Sequence, residues 1–180
     1  MGREDEVLAW LRTLDAERVA SAGVGMPCCT MVALWLLAMR NGVPPGVSTY
    51  ERALGSVTGV TRGWWSLVNV WNPKAPWSAL TAAEELTGGR YLAPRAVSRS
   101  MPAPELTPGR WHVIQRWRDP AKVQGGHTYL VRAGETSADP VTVLQSSEAK
   151  RLRVSDGSWD ATKVLLGYHV GAVVLPRMEA

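Results

Sequence analysis

Residues Gly109 to Trp117 read GRWHVIQRW. Upstream of Gly109 the apolar residues recur at helical spacing; from Arg110 onward they alternate with period two, the signature of a strand with two different faces. Alternation puts His112 on the face opposite Trp111 and Val113. Three further stretches follow the same rule: HTYLVRA (His127–Ala133), VTVLQSS (Val141–Ser147) and KRLRVS (Lys150–Ser155). The late stretch VLLGYHVGAVVLP supplies one or two more strands. The segments between them, DPAKVQGG, GETSADP and SEA, carry turn residues and are too short for parallel crossovers. An antiparallel meander is therefore expected over about residues 109–176.

The preceding half reads as helices. From Glu4 to Ala20, Val7, Leu8, Trp10, Leu11 and Leu14 recur on one side, and acids fill the first turn, where the helix dipole favours them. SAGVGMP breaks that helix. Pro27 then suits the opening turn of a second, running to about Arg40 and stopped by NGVPPG. The second helix is apolar nearly all round from Met31 to Met39, which predicts a buried, central position. Three short helical candidates follow within residues 48–92: STYERALGSV behind a Ser or Thr cap, TRGWWSLVNVWN, and SALTAAEELTGG ended by Gly88 and Gly89. Residues 93–109 hold four prolines and read as a connecting loop. Helices first and antiparallel strands after make an α+β fold, with the helix from Pro27 packed on a sheet of five or six strands. The 180 residues suffice for a single domain, a helical half over about 1–92 and a sheet half over about 109–176.

Composition narrows the function classes. Hydrophobic residues make up 46% and charged residues 20%, an ordinary globular balance, with nine tryptophans and no phenylalanine. A net charge of +4 and a pI near 9.4 give a mild positive field that favours anionic partners. The basic residues are scattered, however, and the one cluster, Lys150–Arg153, reads as a solvated strand edge. Nucleic acid is accordingly disfavoured as a partner. No apolar run reaches the ~20 residues of a membrane span, and GREDEV after Met1 is not a signal region. The chain is expected to be made in the cytoplasm, and to leave it, if at all, without a classical signal. No dinucleotide or phosphate-loop glycine pattern is present, and nothing asks for a cofactor.

The only two cysteines, Cys28 and Cys29, are adjacent and follow Pro27. Adjacent thiols close no useful disulfide loop and coordinate one metal ion poorly, and the two cysteines and three histidines show no usual zinc spacing. In the first turn of a helix, unpaired backbone N–H groups and the positive end of the dipole favour thiolate over thiol. A thiolate nucleophile needs a base. His127 opens a strand directly after QGG, where the chain can turn sharply and present the ring at the end of the sheet. His112 reads as structural and His169 as a second choice of base. Gln145, with Ser146 and Ser147, closes the next strand and can supply a polar group behind the imidazole. The competing reading is a small, inert cysteine pair in a core.

A cysteine opening a buried helix, then LTPGRWHVIQRW, GGHTYLV and VTVLQSS in that order, resembles the papain-like superfamily, and within it the NlpC-type and CHAP-type cell-wall hydrolases. The resemblance covers about residues 25–42 and 106–150. It implies a papain-like fold and a cysteine peptidase or amidase that uses no cofactor or metal. Its substrate would be a peptide-like amide, peptidoglycan stem peptides being the first choice. It implies Cys29 or Cys28 as nucleophile, His127 as base and Gln145 as orienting group. The helix is also similar to that of bacteriocin-leader-processing peptidases, where a glycine stands behind the cysteine as Gly42 does behind Cys29; this favours Cys29. No glutamine precedes the cysteines, so beyond the Cys29 N–H the oxyanion donor is not identified. A second class of function is a non-catalytic binding or interaction domain, its ligand groove lined by tryptophans such as those of GWW at Gly63–Trp65.

Overall fold

In a computed structural model, which describes residues 2–60, 76–136, 138–147, 150–157 and 165–177, four described helices precede the sheet. They are α1 (Arg3–Ala22), α2 (Cys28–Asn41), α3 (Tyr50–Val60) and α4 (Ser78–Thr87). Six strands follow: β1 (Arg90–Ala96), β2 (Trp111–Trp117), β3 (His127–Arg132), β4 (Val141–Ser147), β5 (Lys150–Gly157) and β6 (His169–Val174). All described neighbours pair antiparallel, in the order β1-β6-β2-β3-β4-β5. The protein is α+β, as the change of period at Gly109 predicts.

Local chemistry explains the helix ends. Gly23 and Gly88 adopt the left-handed conformation that closes α1 and α4. Pro27 is the N-cap of α2, so Cys28 is the first helical residue. Thr49 Oγ1 accepts the Arg52 N–H at 3.3 Å and caps α3. The helical candidate Thr61–Asn72, with Trp64 and Trp65, lies outside the described residues.

One strand departs from expectation. Residues 90–96, RYLAPRA, fall partly in the stretch read as helical and partly in the stretch read as loop, yet they form the edge strand β1. Pro94 sits where the register with β6 shifts between Leu92 and Arg95. Proline has no N–H to give a ladder and is tolerated at a bulge on an edge strand. The same proline breaks the alternation that would have revealed the strand. β6 closes the sheet by inserting between β1 and β2, pairing Val173 with both Tyr91 and Val113.

The sheet has a core on each face. On one, Trp111, Val113, Leu130, Leu144 and Val173 pack with α1 and α2. Trp35 of α2 is fully buried, its ring 5.0 Å from that of Trp111. On the other, Ile114, Tyr129, Val131, Val170 and Ala172 are covered by Val97, Ala103 and Leu165 from connecting segments. At the far edge β5 exposes Arg151 and Arg153 while half-burying Leu152 and Val154. Charges there discourage edge-to-edge pairing. Among the described residues no helix is long and apolar enough to cross a membrane.

Candidate active site

The residue that sets the entry of α2 is Met26. Its N–H donates to Asp15 Oδ1 of α1 at 3.0 Å, and its carbonyl accepts the Ser146 hydroxyl of β4 at 2.8 Å. Asp15 is only 2% exposed, and its other oxygen accepts the Leu152 N–H of β5 at 2.9 Å. Asp15 and Met26 thus tie α1, β4 and β5 to the loop two positions before Cys28. Asp15 was not singled out in the sequence because an acid near the end of an amphipathic helix looks solvated; its one signal is its place one residue after Leu14 on the apolar side. Ser146 lies within the VTVLQSS stretch, but as a brace for α2 it too was not foreseen.

Cys28 and Cys29 are both free and half-buried in the first turn of α2. They are not equivalent. The Cys28 thiol is held well below its ordinary value. The largest cause is a hydrogen bond from the Cys29 thiol, and burial opposes it. The His127 imidazole, as hydrogen-bond partner and as charge, and the Thr128 backbone N–H also lower it. Cys29 is pushed the other way, first by that same bond to Cys28 and then by burial. One sulfur is therefore poised as thiolate and the other is held as a neutral donor beside it. The thiol facing His127 is Cys28, whereas the glycine spacing had favoured Cys29.

His127 is the first residue of β3, and its position follows from the turn before it. At Gly125, φ is +67°, the left-handed region that glycine tolerates. A Cβ on Gly126 would fall 2.6 Å from the Trp117 ring, so only glycine lets the chain pass that indole. The imidazole then stacks on Tyr129 with ring centroids 5.4 Å apart. Its Nε2 lies 3.2 Å from Gln145 Oε1. An amide oxygen only accepts, so Nε2 carries the hydrogen and Nδ1 remains available to the sulfur. Burial drives the Tyr129 hydroxyl up to about 12, against the opposing charge of Arg116, and keeps it a neutral phenol.

The structure thus brings Cys28, Cys29, His127 and Gln145 together. The remaining histidines stand elsewhere. His112 is fully buried; its Nδ1 donates to the Arg110 carbonyl at 3.0 Å and its Nε2 accepts the Thr107 N–H at 2.9 Å. Burial lowers its pKa. His169 opens β6, two strands from β3. Among the described residues no group of three or more His, Cys, Asp or Glu side chains could hold a metal ion. A buried polar pair was also not foreseen. Gln115 and Thr128 face each other across the β2–β3 ladder, each 1% exposed, and Gln115 Oε1 and Thr128 Oγ1 have no partner among the described residues. A glutamine in mid-strand on an apolar face was the signal for it. Comparison with family models, with curated proteins and with solved structures finds no match for this chain.

Proposed function

We propose that this protein is a cysteine hydrolase of papain-like type that cleaves a peptide-like amide. Cys28 is the nucleophile, His127 the acid and base, and Gln145 the group that orients the imidazole. One observation carries the reading: the interaction of a depressed thiol in the first turn of a buried helix with an imidazole whose far nitrogen is held by an amide oxygen. Geometry of that kind is what nucleophilic thiol chemistry requires.

The Cys28 thiolate adds to the amide carbonyl carbon, forming a C–S bond and moving the carbonyl electrons onto oxygen. The first turn of α2 offers backbone N–H groups without intrahelical acceptors to that oxyanion. As the intermediate collapses, the C–N bond breaks and the His127 imidazolium gives its proton to the departing amine. His127 then takes a proton from water, which attacks the thioester. The C–S bond breaks, and the product acid leaves with the thiolate restored. Peptidoglycan stem peptides are the first substrate class to test, because the motif order resembles cell-wall hydrolases and the net charge of +4 suits an anionic polymer.

The test is hydrolysis of purified peptidoglycan and of a peptide library, read by mass spectrometry of the released amines. Cys28→Ala and His127→Ala should each remove nearly all turnover, and the double variant should lose little more, because the two act as a unit. Full activity in Cys28→Ala would refute the assignment. A protein that neither turns over nor alkylates at neutral pH would be a binding domain instead.

A further inference from the structure

Arg116 lies directly opposite His127 in the β2–β3 ladder, so the two side chains leave the sheet on the same face as neighbours. Its guanidinium carbon stands 4.8 Å from the Tyr168 ring centroid and 5.9 Å from that of Tyr129, the ring on which His127 stacks. The side chain is half-buried, and its Nε is buried with no hydrogen-bond partner among the described residues. Among the described residues no carboxylate pairs with it, the ion pairs there being Lys122–Asp119 and Arg132–Glu4. A planar cation has thus been taken partly out of water and braced by two aromatic rings beside the candidate base, with no anion paired to it among the described residues. Aromatic stacking fixes the orientation of the fork without neutralising it.

We infer that Arg116 is a specificity residue that holds a carboxylate of the peptide-like substrate beside the Cys28–His127 pair. The guanidinium fork matches a carboxylate with two parallel N–H···O bonds, and peptide-like substrates carry carboxylates at chain ends and on side chains. The inference rests on the proposed hydrolase reading, since it takes Cys28 as the reacting group. It adds that cleavage is selective for substrates with an anionic group a short reach from the scissile bond.

The test uses alkylating probes, because the natural substrate is not needed for it. N-iodoacetyl-alanine and N-iodoacetyl-alanyl-alanine are each prepared as the free acid and as the C-terminal amide. The Cys28 thiolate displaces iodide, forming an S–C bond, and the rate is followed by mass spectrometry. The acid-to-amide rate ratio is divided by the same ratio for a free thiolate in a short peptide. For at least one chain length the corrected ratio should exceed about tenfold in the wild type, the worth of one charge-assisted contact. It should collapse toward one in Arg116→Gln and in Arg116→Met, the latter keeping an unbranched stem across the tyrosine rings. A corrected wild-type ratio near one at both lengths overturns the inference while leaving the hydrolase reading intact. So does a raised ratio that survives in whichever variant folds. Failure of every probe to label Cys28 at neutral pH overturns the hydrolase reading and this inference with it.

Discussion

Two adjacent thiols with opposite tendencies make a sharp prediction. The Cys28 pKa is lowered in the folded protein, so its thiolate persists as pH falls below 8, where an ordinary thiol is protonated. Iodoacetamide should label Cys28 at a rate nearly flat from pH 8 down toward 6, while Cys29 stays unlabelled until the protein unfolds. Because the Cys29 thiol is the foremost support of that thiolate, Cys29→Ala should move the labelling profile to higher pH. Cys29→Ser, which keeps a donor, should move it less. Equal labelling of both cysteines in the native protein would refute the asymmetry. At Gln145 the expected change is milder than at His127: Gln145→Ala leaves the nucleophile and base in place and should cost roughly tenfold in kcat/KM, against about a thousandfold for His127→Ala. Steady-state kinetics on any cleaved peptide would decide it.

The helix that carries these thiols is positioned from outside itself. Asp15 reaches from α1 to the backbone of Met26 and of Leu152, and it is buried. Asp15→Ala strands the buried Met26 N–H and the half-buried Leu152 N–H and should cost roughly 2 kcal/mol in urea unfolding, with Asp15→Asn costing less because an amide oxygen still accepts. A loss under about 0.5 kcal/mol would mean that α2 is held by its apolar surface alone. The turn into β3 makes a complementary case. Gly126→Ala drives a methyl into the Trp117 ring and should destabilise by about 2 kcal/mol through overpacking. It should lower turnover as well, since His127 is the next residue; a variant with native stability and activity would show that Trp117 can swing away.

Stability of the folded chain should fall in acid for a reason visible in the core. His112 is buried as the neutral ring, and its folded pKa lies below the ordinary value of 6.5. Its contribution is therefore fully present above pH 6.5 and is lost as pH falls toward the lower folded value, because the unfolded chain takes up a proton that the buried ring refuses. Cys28 acts in the same sense over a wider window: its folded pKa is depressed, so its contribution is complete above the ordinary value of 9.0 and declines as pH falls. Urea midpoints should drop between pH 7.5 and 5.0, and Cys28→Ser should remove part of the slope while the His112 part remains. A Cys28→Ser variant with no slope at all over that range would contradict a buried neutral His112.

Period and turn chemistry settle locally, and that is why the α+β order, the four-stranded run from β2 to β5 and the buried character of α2 could be read from residues alone. An apolar run of Met31–Met39 has to be central, and short polar connections have to join antiparallel strands, whatever else the chain does. The pairing of Cys28 rather than Cys29 with His127 could not be read, because consecutive residues in the first turn of a helix differ only in the direction they face, and that depends on how Met26 is pinned by Asp15 and Ser146. β1 escaped because its strand character comes from β6, a partner about eighty residues away, and not from its own proline-broken pattern. Arg116 escaped for the same kind of reason: its sequence neighbours say only that it alternates on a strand. Its place beside His127 and the absence of a described acid partner exist only once the β2–β3 register is formed, because register is decided by burial of whole faces against other elements.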